Sequence, residues 1–323
     1  EDGIRDFCLS RGLGDVYKRQ LQRPTEFFTT DELRRLRRID VRKSLWSLVH
    51  CWGVILLTWV VVSIWTNPLT ILLGVMIIGT RQLGLFVLTH DAAHFALFKS
   101  RKINDWVAQW ILNRAHTDAS VHAYRTYHMA HHLHTQQKED PDLELSAPFP
   151  ISKASFLRKV MRDLTGQTGL KQYRRLFSSA FSGNTYGERL KSAWMRLGPN
   201  MLINVFFLSA FSILSALYLY FFLWFLPSLT WYRLVVRLRN IAEHASVESN
   251  DDRLKNTRTT KANWIERAFI APYNVHYHLE HHLVVNCPQY NLPLAHQMLV
   301  GKGYLPRMEV QSGYPAVLRL AVI

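Results

Sequence analysis

Leu45 to Trp65 is a run of 21 residues without a charge. At about 1.5 Å of rise per residue, a helix of that length crosses a hydrocarbon layer of about 30 Å. Trp46 and Trp65 stand at its two ends, where indole rings favour the membrane interface. The run starts too far from the N-terminus, is too long and lacks the small-residue exit of a removable signal peptide. A second run, Pro68 to Thr89, carries one charge, Arg81. A mid-membrane arginine costs about 2.5–3.5 kcal/mol on insertion scales, so Arg81 is expected to face protein or water in a structural role. The turn Thr66-Asn67-Pro68 joins the two runs, which therefore read as a helical hairpin. A third uncharged stretch, Met201 to Leu226, has 26 residues, generous for one span and short for two. Extended to Gly198–Leu238 it has room for two, with Asn204, Pro227 and Arg233 inside.

The polar stretches carry the basic charge. Of 39 Lys and Arg residues, 11 fall in 1–44, 16 in 95–197 and 11 in 233–323. The positive-inside rule then places these regions and both termini in the cytoplasm. The net charge of +15 needs no nucleic acid to explain it, and no nucleic-acid motif is present. With 48% hydrophobic residues, the chain is neither a disordered tail nor a small disulfide scaffold. Its three cysteines, Cys8, Cys51 and Cys287, form neither a disulfide framework nor a CxxC metal site.

Thr29-Thr30-Asp31-Glu32 reads as a capping box. Leu33, Leu36 and Ile39 follow on one face of the helix that it opens, among Arg34, Arg35, Arg37 and Arg38. That helix lies on an anionic membrane surface or is simply a solvated basic helix. Ile103 to Leu112 reads as a further interfacial helix. Residues 150–197 read as polar, basic, weakly helical and without chemistry. Residues 1–23 lack periodicity, and Cys8 to Gln20 resembles a translated cloning adaptor. They are expected to be a disordered or non-native leader, with 24–323 forming one membrane-bound domain.

Histidine is abundant, with 15 residues, and clustered. His90-Asp91-Ala92-Ala93-His94 closes the second span. His128-Met129-Ala130-His131-His132 lies in the long polar segment. Asn240-Ile241-Ala242-Glu243-His244 follows the last span, and His278-Leu279-Glu280-His281-His282 comes later. Helical spacings of three and four put His90 with His94, His128 with His131 and His132, and Asn240 with His244 on common faces. Nine imidazoles overfill one metal site, whereas two sites of four or five ligands use them all. Imidazole suits zinc, copper, iron and nickel alike. The HExxH zinc-protease pattern fails, because Asp91, Met129 or Leu279 stands where the general base would be. The soluble di-iron pattern of Glu ligands with Glu-x-x-His fails as well. If all the clusters serve one site, an even number of spans separates His94 from His244. Residues 198–238 are therefore expected to cross twice, giving spans at about 45–65, 68–89, 198–217 and 218–238.

HDAAH at 90–94, HMAHH at 128–132 and HLEHH at 278–282 resemble the three histidine boxes of the integral-membrane fatty acid desaturase and hydroxylase superfamily. The flanking residues agree: His134-Thr135-Gln136, Asp140-Pro141-Asp142, Arg239 to His244, and Asn256 to Thr260. The likeness runs from about residue 40 to 300. It implies an all-α membrane fold of four spans in two hairpins, with a helical cytoplasmic cap holding a di-metal site. It implies two iron ions held by His90, His94, His128, His131, His132, His244, His278, His281 and His282, with O2 as co-substrate and a fatty acyl lipid as substrate. Asn240 matches a residue that contacts the site through water. Asp91 and Glu243 adjoin ligands, where they orient imidazole N–H groups or act as ordinary capping groups. His278 stands where front-end members have Gln, and no haem-binding HPGG stretch is found. The resemblance thus implies a separate electron donor, a ferredoxin or small haem cytochrome with its reductase, docking on the basic face. A hydroxylase or ketolase of the same superfamily, acting on a carotenoid, sphingolipid or alkane, is the nearer alternative. A histidine-rich metal transporter is the distant one, since transporters carry their polar ligands at mid-membrane. His50 reads as a packed or hydrogen-bonded residue. His116, His122, His134, His276 and His296 match no ligand position.

Overall fold

The computed structural model describes residues 23–114, 120–248 and 252–323. His116 and residues 1–22 lie outside them. The regular structure of the described residues is almost entirely helical, and four helical stretches are long and apolar enough to cross a membrane. A short basic helix, α1 (Thr30–Leu36), precedes the first span, α2 (Val41–Ile64). The second is α3 (Pro68–Ala93). Between them Asn67 Oδ1 accepts from the backbone N–H groups of Leu69 and Thr70, and Thr70 Oγ1 accepts from Asn67 N. Pro68 at the first helical position needs no N–H partner, so the tight turn is fully capped.

Past the second span, α4 (Arg101–Trp106) runs into a π-helical stretch, Val107–Asn113, and α5 (Val121–His134) follows. Residues 150–197 are not weakly helical. They form α6 (Lys153–Leu164), α7 (Gln167–Ala180) and the start of α8 (Tyr186–Leu214). On α6 and α7, exposed Leu157, Met161, Leu170 and Phe177 share the helices with Arg158, Arg162 and Arg174, the composition of helices lying in an interface. Overall hydrophilicity conceals this amphipathic pattern.

The third span belongs to α8, which begins twelve residues before the expected start and continues through Pro199. The fourth runs Leu217–His244 in pieces: a turn of helix, a π-helical turn at Phe221–Phe225, a second short helix, and α9 (Trp231–His244). A π turn misaligns backbone carbonyls, and in lipid these must find a partner. Gln82 of α3 supplies one, donating to Trp224 O at 2.9 Å. Asn204 of α8 accepts from Tyr220 Oη at 2.8 Å and Trp224 Nε1 at 3.3 Å, so this intramembrane amide joins the last two spans. The double crossing expected of 198–238 is present. The two hairpin turns also lie at the same end, since Trp59, near the end of α2, donates to Ser215 Oγ at 3.0 Å and stacks on Phe211 at 3.8 Å. Trp46 and Trp65 are 67% and 63% exposed, as rings at an interface should be.

The remaining chain forms a cap at the other end. It contains α10 (Trp264–Phe269), α11 (His278–Leu283), α12 (Leu292–Gly301) and α13 (Tyr314–Ala321). A two-stranded parallel sheet joins β1 (Thr259–Thr260) to β2 (Val310–Gln311). The capping box of α1 is present, with Glu32 Oε2 accepting from Thr29 N at 2.7 Å. Its apolar face is directed neither at lipid nor at solvent. Leu33 and Leu36 are buried against Leu279, Leu283 and Leu292 of the cap, which tie the N-terminal helix to a histidine-bearing one. Arg81 is buried, with Nη2 donating to Ala268 O at 3.0 Å, the protein-facing structural role its position demanded.

The helices that carry the histidines meet through a close approach at Gly79 of α3. A Cβ there would stand 3.0 Å from Trp231 Cβ and 3.1 Å from Tyr232 N. Gly79→Val is therefore expected to force α3 from α9 and destabilise the protein by about 1–3 kcal/mol, measured as a lowered unfolding midpoint in detergent.

Candidate metal centre

Four elements bring nine imidazoles together in two groups. His90 and His94 at the end of α3, His128 and His132 of α5, and His281 of α11 form the first. His131 of α5, His244 at the end of α9, and His278 and His282 of α11 form the second. Within each group the candidate ligand nitrogens all lie within 4.8 Å of one another. His128, His131 and His132 do not act on one common face. His131 turns to the second group while its neighbours serve the first, and α11 makes the mirror arrangement, with His281 alone in the first.

Both ends that present histidines are closed by a buried arginine. Two residues past the end of α3, Phe95 turns the chain with a φ of 55°. Arg125 of α5 donates from Nε to Ala93 O at 2.6 Å and from Nη2 to Ala92 O at 3.4 Å, satisfying carbonyls that the helix leaves free. Arg258 does the same for α9. Its guanidinium reaches Ile241 O, Ala242 O and Ser246 O, and is neutralised by Glu309 at 2.8 Å.

The donor set fits metal ions. Four contacts join Nε2 atoms of different rings: His128–His132, His132–His281 and His278–His282 at 3.0 Å, and His244–His278 at 2.8 Å. Two imidazole nitrogens each about 2.1 Å from one ion, at right angles, are about 3.0 Å apart. His90 Nε2 and both ring nitrogens of His94 are buried without a hydrogen-bond partner, a costly condition unless a ligand is meant for them. Burial pushes His94 down to about 3, with Arg125 adding to the effect. Burial first, and then neighbouring imidazoles, hold His128, His132, His278, His281 and His282 well below the ordinary imidazole value. These six rings are therefore neutral, the form that binds a metal.

Surrounding groups fix ring orientation. His131 Nδ1 lies 2.8 Å from Asp140 Oδ1, which leaves Nε2 free to face inward. Thr135 Oγ1 lies 3.2 Å from His282 Nδ1. Glu243 Oε1 stands 3.4 Å from His278 Nδ1 and pairs with Arg239 at 2.6 Å. Asp91 is 3.7 Å from its neighbour His90, too far to bond, and accepts instead from Gln289 N at 2.9 Å. Asn240 faces a cavity of about 180 Å³ that His131, His244 and His278 also line. Sequence reasoning missed Arg125, Thr135, Asp140 and Arg258 as supports, although the last three lie in stretches that carry the family resemblance. It missed Glu280 as an anchor too: its carboxylate turns away from the imidazoles to His296 Nδ1 at 2.6 Å and Thr259 Oγ1 at 2.5 Å. His276 is buried outside both groups, His122 and His134 are outside them as well, and His50 hydrogen-bonds Tyr273 Oη at 3.0 Å.

The profile of the fatty acid desaturase family matches residues 65–310, a stretch that holds all nine histidines. The chain belongs to the fatty acid desaturase family. Dihydrorhizobitoxine desaturase of Bradyrhizobium elkanii is 30% identical to this family member over 238 residues, covering 70% of this chain and 66% of that protein. The sn-1 oleoyl-lipid 12-desaturase of Synechocystis sp. is 26% identical over 269 residues, covering 76% and 70%. The chain thus spans about two thirds of the length of these relatives.

Asp140 is buried. Besides His131, its carboxylate accepts from the backbone N–H groups of Gln136 at 2.9 Å and Asp142 at 2.8 Å. In Asp140→Asn one acceptor oxygen becomes a donor facing donors. The expected cost is about 1–3 kcal/mol, measured by denaturant unfolding in micelles.

Proposed function

We propose that this desaturase-family protein is an O2-dependent membrane oxidoreductase that introduces a double bond into a fatty acyl chain at a di-iron centre. One observation carries the reading: nine buried imidazoles divide into groups of five and four with nitrogens at ligand-edge spacing. His90, His94, His128, His132 and His281 would hold one ion, and His131, His244, His278 and His282 the other. Iron bound there supplies the activation of O2 and the oxidising power to remove hydrogen from adjacent unactivated carbons. In balance, two hydrogens from the substrate, with two electrons and two protons from outside, reduce O2 to two waters.

The chain's own residues position and protect. Asp140 and Thr135 orient imidazoles by their Nδ1 atoms, and Glu243 sets a carboxylate 3.4 Å from His278 Nδ1. No thiol lies among the nine ligands to be oxidised. Burial of the rings excludes water, so that oxidising equivalents reach the substrate. The acyl assignment draws on the family and on the lipid substrate named for the Synechocystis relative. Electrons come from a separate ferredoxin or small haem cytochrome with its reductase. The basic stretches support a cytoplasmic side for the histidines and both termini, with residues 24–323 acting as one membrane-bound domain.

Metal analysis of the purified protein should give two irons per chain, and lipid profiling of an expressing host should show new double bonds. An added oxygen in place of a double bond would make it a hydroxylase. His131→Ala and His281→Ala remove one ligand from each group. Each is expected to abolish oxidation while the protein still inserts in the membrane, and full activity in either would overturn the site. His50→Ala should retain activity.

A further inference from the structure

From Ile78 to His94 of the second span, every residue is buried except Phe86. It is half-buried. Phe86 lines a cavity of about 410 Å³ among α3, α7, α8 and the last span, and also the smaller cavity beside His131, His244 and His278. Among the described residues it is the one common to these two linings. Helical spacing makes this a path. Gln82, Phe86 and His90 are four residues apart, so they form one ridge of α3, running from the larger cavity to the first histidine group. Tyr232, Val236, Asn240 and His244 form a matching ridge on α9, with Tyr232 in the larger cavity and the other three lining the smaller. α3 packs directly against α9, so the two ridges flank one route, and Phe86 stands where the cavities meet. Its ring is held edge-on to Tyr124, with centroids 5.1 Å apart, and Tyr124 stacks on His128 at 5.3 Å.

We propose that Phe86 is the partition between a chain-holding cavity and the histidine centre, and that its bulk sets how far an aliphatic chain advances and which carbons are oxidised. The inference rests on the acyl-chain reading above and deepens it. Phe86 offers no ligand atom; it is a positioning residue. A chain in the larger cavity reaches the histidines only by passing this ring. A smaller side chain therefore lets it slide further, and a larger one stops it short. Pocket walls of this kind discriminate by about tenfold or more for each methylene gained or lost.

The test uses the full-length protein in membranes of an expressing host, with hexadecanoyl and octadecanoyl chains as substrates. Wild type, Phe86→Ala and Phe86→Trp are compared by the ratio of the two conversions, by double-bond position and by bound metal. Ala and Trp should move the ratio in opposite directions by about tenfold, shift the double bond, and leave metal content at the wild-type level. Should Phe86→Ala fail to accumulate, Phe86→Leu keeps the apolar packing and carries the same comparison. Unchanged ratio and position in the variants, with wild type active, overturns the partition. Loss of metal also overturns it, because Phe86 would then serve only to support Tyr124 and His128. A wild-type protein that converts no acyl chain defeats the substrate reading instead, a distinct result.

Discussion

Nine imidazoles held out of water with their nitrogens turned toward one another set the terms for this structure. For His94, His128, His132, His278, His281 and His282, burial disfavours the charged form and neighbouring groups add to the effect, so protonation does not relieve these rings. Nor can the cluster satisfy itself, because a neutral ring has one N–H and one lone pair, and several rings here turn the same nitrogen toward a shared point. Such an arrangement folds only if the surrounding framework holds it against its own cost. An electropositive guest is what the geometry accommodates.

The framework meets that demand from outside the cluster. Two hairpins bring the ends of α3 and α9 to one level, and their turns are tied together at the opposite end through Trp59 and Ser215. Each histidine-bearing end would leave carbonyls unpaired beside neutral rings. Arg125 and Arg258 take those carbonyls, and their charges are balanced by Asp105 and Glu309 rather than by the imidazoles. Glu280 works in the same way. Although it stands inside a histidine motif, its carboxylate anchors α11 to the sheet and to α12. Acidic and basic groups thus fix the helices that present the neutral rings.

Much of this was legible from sequence, for identifiable reasons. Span length and the lone Arg81 are local properties, and a charge-free run has few alternatives. The parity of crossings followed from requiring one site on one side. The amphipathic helices of 150–197 were not legible as such, because strong alternation around a basic mean reads as plain hydrophilicity. The fate of Leu33 and Leu36 was hidden for a different reason: an apolar face specifies that it will be covered, but not by what. The arginine caps were out of reach because each acts across 12 to 33 residues, with backbone carbonyls that leave no trace in composition.

The division of the rings does have a local cause. At about 100° per residue, the fourth and fifth residues of an HxxHH segment point about 100° apart, while the first and the fifth are separated by about 40° and one turn. Such a segment must therefore address two points. The distances agree: His131 and His132 have centroids 5.8 Å apart, and His281 and His282 are 5.6 Å apart, against 4.5 Å for His128–His132 and for His278–His282. HxxxH, with its single shallow divergence, serves one point, and His90 and His94 fall together. Two HxxHH helices in opposed order give three rings to each centre. The HxxxH pair raises one centre to five, and His244 raises the other to four. The unequal pair of groups is therefore written in motif spacing, provided that the fold brings α5 and α11 face to face.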